Sequence, residues 1–401
     1  KRKNHRKMPL PEVVIAAAAR TPIGKFNGAL AAMSAPQLGA AAIRGALAKA
    51  KLPASAVQQC WMGNVVSADV GQAPARQAAL GAGLDESTCC TTVNKVCSSG
   101  IKAIVLGAQQ IQLEEANVVV AGGMESMSNA PYYLPKARWG SRMGHAQALD
   151  SLIKDGLWDP YGNCHMGSYA ELCAETYDIS REDQDVHAEA SYDRSIAAIL
   201  AEAFADEIVP VEVPQGRKGT VEVTKDEEPH QRKGAASAAR PAFKREGGTV
   251  TAFNASSISD GAAALVLMSR AEAEARGVTI LATIRGYADA EQAPSFFTTA
   301  PAAAIPKAVA AGGIQMKDVD FFEINEAFSV VSCVNNKLLD LDPAKVNVFG
   351  GAVSLGHPIG ASGARIVVTL LNVLKQKGGR FGVAGICNGG GGASALLLEL
   401  A

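Results

Sequence analysis

Two stretches of the chain, residues 99–122 (SGIKAIVLGAQQIQLEEANVVVAG) and residues 362–385 (SGARIVVTLLNVLKQKGGRFGVAG), share one layout. Each begins with Ser-Gly, continues in an apolar helical pattern and ends in a strand-like run that leads to Val-Ala-Gly. The distance from Gly to Ala is 21 residues in both (121 minus 100 and 384 minus 363). An internal repeat of this kind predicts that the chain folds as two similar halves.

A second pair of matching stretches extends the repeat. Apolar positions in residues 42–57 recur 262 residues later (304 minus 42), in residues 304–319. The first half alternates short strand-like runs with helical patterns, at residues 13–15, 40–50, 91–96, 100–114 and 118–120. Buried strands separated by helices predict a mixed, largely buried α/β sheet in each half, and the two halves should pack as a pseudo-dimer.

Composition narrows the class of protein. The 401 residues are 48% apolar and 19% charged, which predicts a globular chain with a large core. A net charge of -1, from 38 Lys+Arg and 39 Asp+Glu, gives no electrostatic reason to expect nucleic-acid binding. Because the chain has no run of about 18 apolar residues and no apolar signal segment, we expect a soluble protein without a membrane partner. The basic residues 1–7 are expected to lie outside the fold.

The cysteines indicate an intracellular compartment. Eight are present, and none forms a C-x-x-C pair that would suggest a zinc site. A chain of this length does not need disulfides to fold, so reduced thiols are expected.

The first chemical motif is residues 93–100 (VNKVCSSG). Cys97 lies between a predicted buried strand and a predicted helix, where the positive end of the helix dipole favours a thiolate. We therefore expect a lowered pKa for the Cys97 thiol, which makes this residue a candidate nucleophile. The alternative is a buried structural cysteine, with Ser98 or Ser99 capping the helix.

The second motif is residues 350–363 (GGAVSLGHPIGASG), which contain five glycines. Glycines permit close backbone approach, and Pro358 fixes the chain directly after His357. An imidazole held in this way is suited to take a thiol proton near neutral pH. A helix-capping role for His357 is the alternative.

Two further motifs are residues 386–394 (ICNGGGGAS) and residues 322–328 (FEINEAF). Four consecutive glycines expose backbone N–H groups that can form an oxyanion hole, and Cys387 beside them could move a proton. Asn325 could position a water or donate to a developing oxyanion. The alternatives are a tight turn between core strands for the glycine run and a helix cap for Asn325.

Taken together, the four motifs, in this order and at this spacing, resemble those of the thiolases. The resemblance covers residues 11–400 and extends to residues 15–24 (IAAAARTPIG) and 121–128 (AGGMESMS). Residues 165–167 (HMG) and the overall length are similar to short-chain acetoacetyl-CoA members. The resemblance implies reversible condensation of two acetyl-CoA to acetoacetyl-CoA and CoA. The alternative it leaves open is a broader-chain 3-ketoacyl-CoA thiolase of fatty-acid degradation.

The resemblance also implies a fold. It is a duplicated five-layer α/β/α/β/α arrangement with an inserted loop domain. The expected divisions are an N-terminal half from residues 8–125 and 256–278, a loop domain at 126–255 that receives CoA, and a C-terminal half at 279–401. The inserted segment has no counterpart in the repeat and is richer in charge, glycine and proline.

Catalytic roles follow from the resemblance position by position. Cys97 matches the acylated nucleophile, and His357 matches the base that activates it. Cys387 matches the thiol that transfers a proton. Asn325, through a water, and His357 would form one oxyanion hole, while the backbone N–H groups of Cys97 and Gly389 would form the other.

Binding roles are implied in the same way. Ser256 matches a contact to pantetheine, Met166 matches a wall of the acyl pocket, and His165 is expected beside it. Coenzyme A is expected as substrate and product, without a covalently bound cofactor. A potassium ion is a possible partner for which no ligands are assigned. The resemblance implies a homotetramer or homodimer. We expect a cytoplasmic location, with the mitochondrion as the alternative. The chain ends in LELA, which disfavours the peroxisome because its address is a C-terminal Ser-Lys-Leu.

Three rival functions fit less well. A decarboxylating condensing enzyme typically pairs its cysteine with two histidines, whereas this chain has Asn325 and Cys387 at the partner positions. A thiolase-like binding protein would not need all four motifs intact. A nucleotide-binding oxidoreductase would need G-x-G-x-x-G after a strand, which the sequence lacks.

Overall fold

The computed structural model describes residues 10–231 and 234–401, so the basic residues 1–7 lie outside the described residues. In this part of the chain the strands are β1 (Val13–Arg20), β2 (Gly24–Lys25), β3 (Gln59–Gly63), β4 (Cys89–Val93), β5 (Val118–Ser126), β6 (Tyr132–Tyr133), β7 (Leu149–Asp150), β8 (Trp158–Asp159), β9 (Cys164–His165), β10 (Val211–Pro214), β11 (Thr220–Val223), β12 (Ser259–Ser269), β13 (Ala282–Glu291), β14 (Phe321–Ile324), β15 (Phe381–Asn388) and β16 (Gly392–Leu400). The helices are α1 (Ala35–Ala50), α2 (Pro74–Gly81), α3 (Ser99–Gln112), α4 (Met166–Thr176), α5 (Arg181–Leu200), α6 (Arg270–Ala275), α7 (Ala300–Ala311), α8 (Ser329–Leu339), α9 (Ala352–Leu355) and α10 (Ile359–Lys377).

The large sheet is mixed, as the sequence predicts. Its strand order is β14-β15-β16-β13-β1-β12-β5-β3-β4, with β2 on β12. The outer pairs β14–β15, β3–β5 and β3–β4 are parallel, and the inner pairs are antiparallel. The two halves meet where Val14 pairs with Thr283 and Ile15 pairs with Ala282. The two half-sheets therefore form one continuous sheet, which the repeat did not predict. The pairing of β1 with β13 supplies hydrogen-bond partners to a strand edge that each half alone would leave open.

The repeat is visible as equivalent elements. The stretch that contains α3 and leads into β5 corresponds to the stretch that contains α10 and leads into β15, and α1 corresponds to α7. Helix α1 begins at Ala35, five residues before the predicted start at 40 (40 minus 35). The reason is a capping box, in which Ser34 and Gln37 satisfy each other's backbone N–H groups, followed by Pro36 in the first turn.

Apolar side chains divide the halves into the five predicted layers. Helices α1 and α2 pack on one side of the N-terminal half-sheet, and α7 packs on the outer side of the C-terminal half-sheet. Between the half-sheets, Ile101 and Ile104 of α3 and Leu370 of α10 share one buried cluster with Leu265 and Leu396. Each such buried side chain contributes roughly 1.5–3 kcal/mol relative to an exposed one.

The two central helices touch at equivalent glycines. A Cβ on Gly100 of α3 would lie 2.4 Å from the nitrogen of Ala364, and a Cβ on Gly363 of α10 would lie 2.5 Å from the nitrogen of Ile101. Only glycine allows the backbones to come this close. This contact brings the N-termini of α3 and α10 together, and with them the segments that carry Cys97 and His357.

Residues 126–255 contain α4, α5 and three short hairpins. A buried charge cluster holds this segment on the N-terminal half: Arg20, at the end of β1, pairs with Glu207 at 2.6 Å and with Asp226 at 2.7 Å. Because all three side chains are buried, the ion pairs fix where the segment returns to the sheet. No helix in the described ranges has the length and apolarity needed to cross a bilayer.

Candidate active site

A pocket of about 250 Å³ opens where the N-termini of α3 and α10 meet. Most of its lining is apolar, which limits the water that can reach polar groups inside it. The lining residues are Val96, Cys97, Met127, Gly156, Leu157, His165, Met166, Phe243, Ala255, Ser256, Ser257, Ile258, Phe297, Ala327, Phe328, His357, Ile359 and Gly389. Residues from both halves and from the inserted segment therefore share one concave site, which is the usual form of a ligand pocket.

Cys97 lies on a strained loop between β4 and α3. The preceding residue, Val96, has a φ of 47°, a left-handed conformation that a β-branched side chain rarely adopts. Two hydrogen bonds hold it: Val96 N donates to Oδ1 of Asn94 at 3.0 Å, and Ser99 Oγ donates to the Val96 carbonyl at 2.6 Å. Strain of this kind persists where the surroundings fix it, and such residues cluster at functional sites.

The expected lowering of the Cys97 pKa is wrong. Although Cys97 keeps partial exposure to the pocket, burial raises the pKa of its thiol to about 12. The backbone N–H groups of Gly389 and of Cys97 itself act in the opposite direction, and the charge of Glu125 adds to the rise. Desolvation among apolar walls outweighs the helix dipole that the sequence suggested. The resting side chain is a neutral thiol, so it needs a base to become a nucleophile.

One ring nitrogen of His357 is hydrogen-bonded to a serine, and the other is available to accept a proton. Its Nδ1 is 2.6 Å from Oγ of Ser362, and that hydroxyl donates to the Pro358 carbonyl at 2.9 Å. Ser362 therefore accepts from Nδ1–H, which leaves the lone pair on Nε2 as the proton acceptor. Burial, with a further contribution from the charge of Arg365, lowers the pKa of His357 to about 3. The imidazole is consequently neutral and can take a proton.

Asn325 lies beside that open nitrogen. Its Nδ2 is 3.5 Å from Nε2 of His357, and the residue is 1% exposed. Its backbone N–H donates to the Gly385 carbonyl at 2.9 Å, which fixes the chain directly after β14. Oδ1 of Asn325 accepts no hydrogen bond from the described residues. The amide and the imidazole are thus neighbours that can act on one oxygen.

Cys387 is the penultimate residue of β15 and lies behind the pocket wall. It is completely buried, in an apolar cluster with Met166, Phe297 and Ala327. Burial raises the pKa of its thiol well above the ordinary value, and the proximity of Cys97 raises it further. The two sulfurs come from opposite halves of the chain and are close enough to affect each other electrostatically.

Hydrogen bonds that the sequence did not indicate connect the two cysteine loops. Ser98 Oγ donates to Oδ1 of Asn388 at 2.8 Å, and Nδ2 of Asn388 donates to the Gly389 carbonyl at 2.8 Å. Nearby, Lys95 forms an ion pair with Asp289 at 3.3 Å. Ser98 and Asn388 each follow a cysteine directly in the sequence, which is the only signal that could have identified them.

Glu125 is a buried carboxylate that we also did not predict as a site residue. It accepts hydrogen bonds from Nδ2 of Asn64 at 2.7 Å, from Val65 N at 3.0 Å and from Gly360 N at 2.8 Å. Burial raises its pKa to about 7. By accepting from Gly360 it fixes the first turn of α10, directly after His357.

The three predicted binding residues all line the pocket. Nδ1 of His165 accepts a backbone N–H at the start of α4, and its ring stacks on Phe243 with 4.7 Å between centroids. Met166 is 8% exposed. Oγ of Ser256 donates to the Ala327 carbonyl at 2.8 Å, so only its lone pairs remain available to a ligand. The described residues contain no group of three or more His, Cys, Asp or Glu side chains that could hold a metal ion.

Known proteins resemble the chain along nearly its whole length. The thiolase N-terminal domain model matches residues 13–271, and the thiolase C-terminal domain model matches residues 278–400. "Acetyl-CoA acetyltransferase 2" of Arabidopsis thaliana is 58% identical, with 97% of each chain covered. "Acetyl-CoA acetyltransferase ERG10, cytosolic" of Gibberella zeae is 52% identical, with 97% of this chain and 98% of the relative covered.

A solved structure agrees with the fold. The Acat5 thiolase from Ascaris suum, crystallised in complex with coenzyme A, superposes with a TM-score of 0.93 at 44% identity, covering 97% of this chain and 100% of that one. The five-layer fold expected from the sequence is therefore confirmed. With matching family models over both halves and relatives above 50% identity, the chain belongs to the thiolase family.

Proposed function

We propose that the protein is an acetyl-CoA C-acetyltransferase. It condenses two acetyl-CoA to acetoacetyl-CoA and CoA, and it catalyses the reverse thiolysis. The observation that carries the proposal is the common wall of one small pocket, formed by Cys97, His357 and Gly389 with Cys387 directly behind it. The broader-chain alternative is not favoured, because the relatives that match nearly the full length are named acetyl-CoA acetyltransferases.

In the first half-reaction Cys97 is the nucleophile. Its sulfur attacks the thioester carbonyl of acetyl-CoA while Nε2 of His357 takes the thiol proton. The bond to the CoA sulfur then breaks, and CoA leaves with that proton. The neutral state of both side chains supports this order, because burial disfavours both a Cys97 thiolate and a His357 imidazolium.

In the second half-reaction Cys387 is the base. Its thiolate takes a proton from the methyl group of a second acetyl-CoA, while the proton of Cys387 resides on His357. The high pKa of Cys387 supports this role, because a thiolate with a high pKa is a strong base. The enolate carbon attacks acetyl-Cys97, acetoacetyl-CoA forms, and the departing Cys97 thiolate takes the proton from Cys387. His357 then returns its proton to Cys387, so that both thiols and the imidazole end neutral.

Two oxyanion holes stabilise the negative oxygens. Nε2–H of protonated His357 and a water held by Asn325 donate to the enolate oxygen. The N–H groups of Cys97 and Gly389 donate to the tetrahedral intermediate on Cys97. Both N–H groups act to lower the pKa of the Cys97 thiol, so they favour negative charge at this point, which supports the assignment. Each well-placed donor of this kind contributes on the order of 3–4 kcal/mol to the rate.

Substrate binding is assigned to the other pocket residues. Ser256 contacts the pantetheine of CoA, while Met166 and His165 limit the acyl end; their position in the pocket lining supports this. We keep the division into an N-terminal half (8–125 and 256–278), a CoA-binding loop domain (126–255) and a C-terminal half (279–401) as part of the proposal.

The assembly, the ion and the compartment belong to the proposal as well. A homotetramer or homodimer is supported by the position of β4 at the end of the described sheet, where one backbone edge is open to pair with a second copy. A potassium ion near the loop domain remains a prediction without assigned ligands. A cytoplasmic location, with the mitochondrion as the alternative, is supported by the relative whose name includes "cytosolic".

Radiolabelled acetyl-CoA tests the two thiols separately. Wild type should acquire one acetyl group on Cys97, and Cys97→Ala should acquire none. Cys387→Ala should still become acetylated but should form no acetoacetyl-CoA. Acetoacetyl-CoA thiolysis close to wild type in Cys97→Ala would exclude the mechanism.

Substrate length tests the assignment within the family. We expect thiolysis to fall steeply from acetoacetyl-CoA to longer 3-ketoacyl-CoAs. The same series with and without potassium chloride measures the ion effect. Equal rates over the series would contradict the short-chain assignment.

A further inference from the structure

A buried carboxylate beside the pocket is anchored from several parts of the chain. Glu326 is 1% exposed. Its Oε1 lies 3.0 Å from Nε2 of His187 and accepts from Nδ2 of Asn347 at 2.8 Å. Its Oε2 accepts from Oγ of Ser191 at 2.8 Å and from the backbone N–H of Val353 at 3.0 Å. The inserted segment, through α5, and the chain around α9 therefore meet at this one side chain.

The carboxyl group of Glu326 is ionised. Burial acts to raise its pKa, but the charge of His187 and the hydrogen bonds from His187, Asn347 and Ser191 outweigh burial and lower the pKa to about 2. Because an ionised carboxylate only accepts hydrogen bonds, Nε2 of His187 carries the proton in their contact. A Cβ on Gly351 would lie 2.2 Å from Cδ of Glu326, so the backbone also packs closely against the carboxylate.

Asn347 connects this anchor to the chain on both sides of Asn325. Its Oδ1 accepts from the backbone N–H of Ile324 at 2.8 Å, and its Nδ2 donates to the Ile324 carbonyl at 2.8 Å. The same Nδ2 donates to Oε1 of Glu326. The residues immediately before and after Asn325 are therefore hydrogen-bonded to one side chain.

The side chain of Asn325 has few contacts of its own to hold it. Its Oδ1 accepts no hydrogen bond from the described residues, and its Nδ2 is 3.5 Å from Nε2 of His357. His357, in contrast, is fixed at Nδ1 by Ser362 and at its backbone N–H by the Ser257 carbonyl. Loss of the Glu326 anchor should therefore displace Asn325 and leave His357 in place.

We propose that Glu326 is a positioning residue that holds Asn325 at the enolate oxygen, and that His187 of the inserted segment completes the anchor. This inference rests on the proposed function and deepens it, because it assigns the anchor to one of the two oxyanion holes. Asn325 acts, through a water, only where an enolate forms. The hole made by the N–H groups of Cys97 and Gly389 should not depend on Glu326.

Two substrates acetylate Cys97 by different routes, which separates the two holes. When the Cys97 sulfur attacks the keto carbon of acetoacetyl-CoA, the carbon–carbon bond breaks and the enolate of acetyl-CoA leaves. When the sulfur attacks acetyl-CoA, CoA leaves and no enolate forms. The ratio of the two acetylation rates therefore isolates the enolate step, whereas a general loosening of the pocket would slow both routes.

The test is single-turnover acetylation of Cys97 in the full-length enzyme, with acetoacetyl-CoA or acetyl-CoA labelled in the transferred acetyl group. Glu326→Gln should slow the first route about tenfold and the second less than about twofold, because its amide N–H groups face donors and shift the loop. His187→Ala should slow the first route about threefold, and His187→Gln, which keeps a donor, should restore it. Asn325→Ala is the reference for complete loss of the amide.

Glu171→Gln is the matched control. Glu171 is also buried, and its carboxylate accepts hydrogen bonds from the backbone N–H groups of Thr249 and Val250 within the inserted segment. The variant therefore loses a buried carboxylate of similar kind without touching the Asn325 loop. It should leave the ratio of the two rates unchanged, even where thermal denaturation shows a lower melting temperature.

Two results would overturn the proposal, and they differ in what else they affect. An unchanged ratio in Glu326→Gln, beside a changed ratio in Asn325→Ala, would remove the positioning role and leave the proposed function intact. An unchanged ratio in Asn325→Ala as well would contradict the oxyanion-hole assignment itself. Where Glu326→Gln does not fold, the ratio in His187→Ala decides, since His187 is partly exposed and tolerates substitution more easily.

Discussion

Ser98 donates its hydroxyl to Oδ1 of Asn388 across a distance of 2.8 Å, and this bond joins the loop of Cys97 to the loop of Cys387. The same hydroxyl lies 3.2 Å from the Ile386 carbonyl. Since both partners are buried, the bond is shielded from water. The bond therefore sets the distance between the Cys97 sulfur and two groups of the other half, the Cys387 thiol and the Gly389 N–H.

Ser98→Ala should therefore impair catalysis more than binding. We expect kcat for acetoacetyl-CoA thiolysis to fall roughly tenfold, because small displacements of reacting groups are costly, while KM changes less than about twofold. The free energy of unfolding should fall by about 1–2 kcal/mol. Steady-state kinetics and urea denaturation measure both effects.

The control for Ser98→Ala is Ser332→Ala. Ser332, on α8, is also fully buried, but its hydroxyl has no hydrogen-bond partner among the described residues. Its removal should leave kcat unchanged. Equal kcat values for the two variants would mean that the bond to Asn388 does not position the site.

The low pKa of His357 predicts an unusual pH profile. A depressed pKa means that the imidazole stays neutral, and able to accept a proton, down to about pH 3. The kcat/KM of acetoacetyl-CoA thiolysis should then lack the ordinary histidine inflection near pH 6.5. The measurement is kcat/KM from pH 5 to 8 in buffers of constant ionic strength. A fall in kcat/KM centred near pH 6.5 would show that the ring is protonated in the ordinary range.

A buried carboxyl group should make stability depend on pH. Glu323 and Arg365 are both buried, 3.5 Å apart, and burial raises the pKa of Glu323 to about 8 despite the opposing charge of Arg365. The neutral acid is thus favoured in the folded state. This stabilisation is complete below pH 4.5, the ordinary pKa, and is lost as the pH rises through about 8.

Glu323→Gln isolates that effect because glutamine stays neutral at every pH. The unfolding free energy of wild type, measured relative to Glu323→Gln, should decline between pH 4.5 and 8. Urea denaturation at intervals of pH gives the difference. Glu175→Gln, the same substitution at an exposed position, is the control. A constant difference for Glu323→Gln would contradict the burial of a neutral acid.

Phe243 should restrict the length of the acyl group. Its ring lines the pocket, stacks on His165 and lies where a Cβ on Gly167 would meet it at 2.2 Å. Phe243→Ala should raise kcat/KM for 3-ketohexanoyl-CoA relative to acetoacetyl-CoA by about tenfold, the scale of one or two methylene groups. Phe26→Ala, at a half-exposed site outside the pocket, should leave the ratio unchanged. An unchanged ratio in Phe243→Ala would place the restriction elsewhere.

The sequence was a better guide to how the two halves and the site residues are arranged than to the pKa values of those residues. The repeat that contains Gly100 and Gly363 was sufficient to predict two packed halves, but the close approach of these two glycines became visible only in the structure. The pKa of Cys97 was predicted with the wrong sign, since desolvation depends on walls contributed by distant segments. For the same reason the bond between Ser98 and Asn388 could not be foreseen: one sequence does not reveal which polar residues meet after folding.

The contact of α3 and α10 makes the pocket sensitive to a change in either copy of the repeat. Gly100 and Gly363 hold the same place in each copy, and each lies against the backbone of the other helix. A larger side chain at either position would push the two helices apart. Because Cys97 and His357 directly precede these helices, a substitution remote from any reacting atom would widen the gap between nucleophile and base, whichever copy carries it.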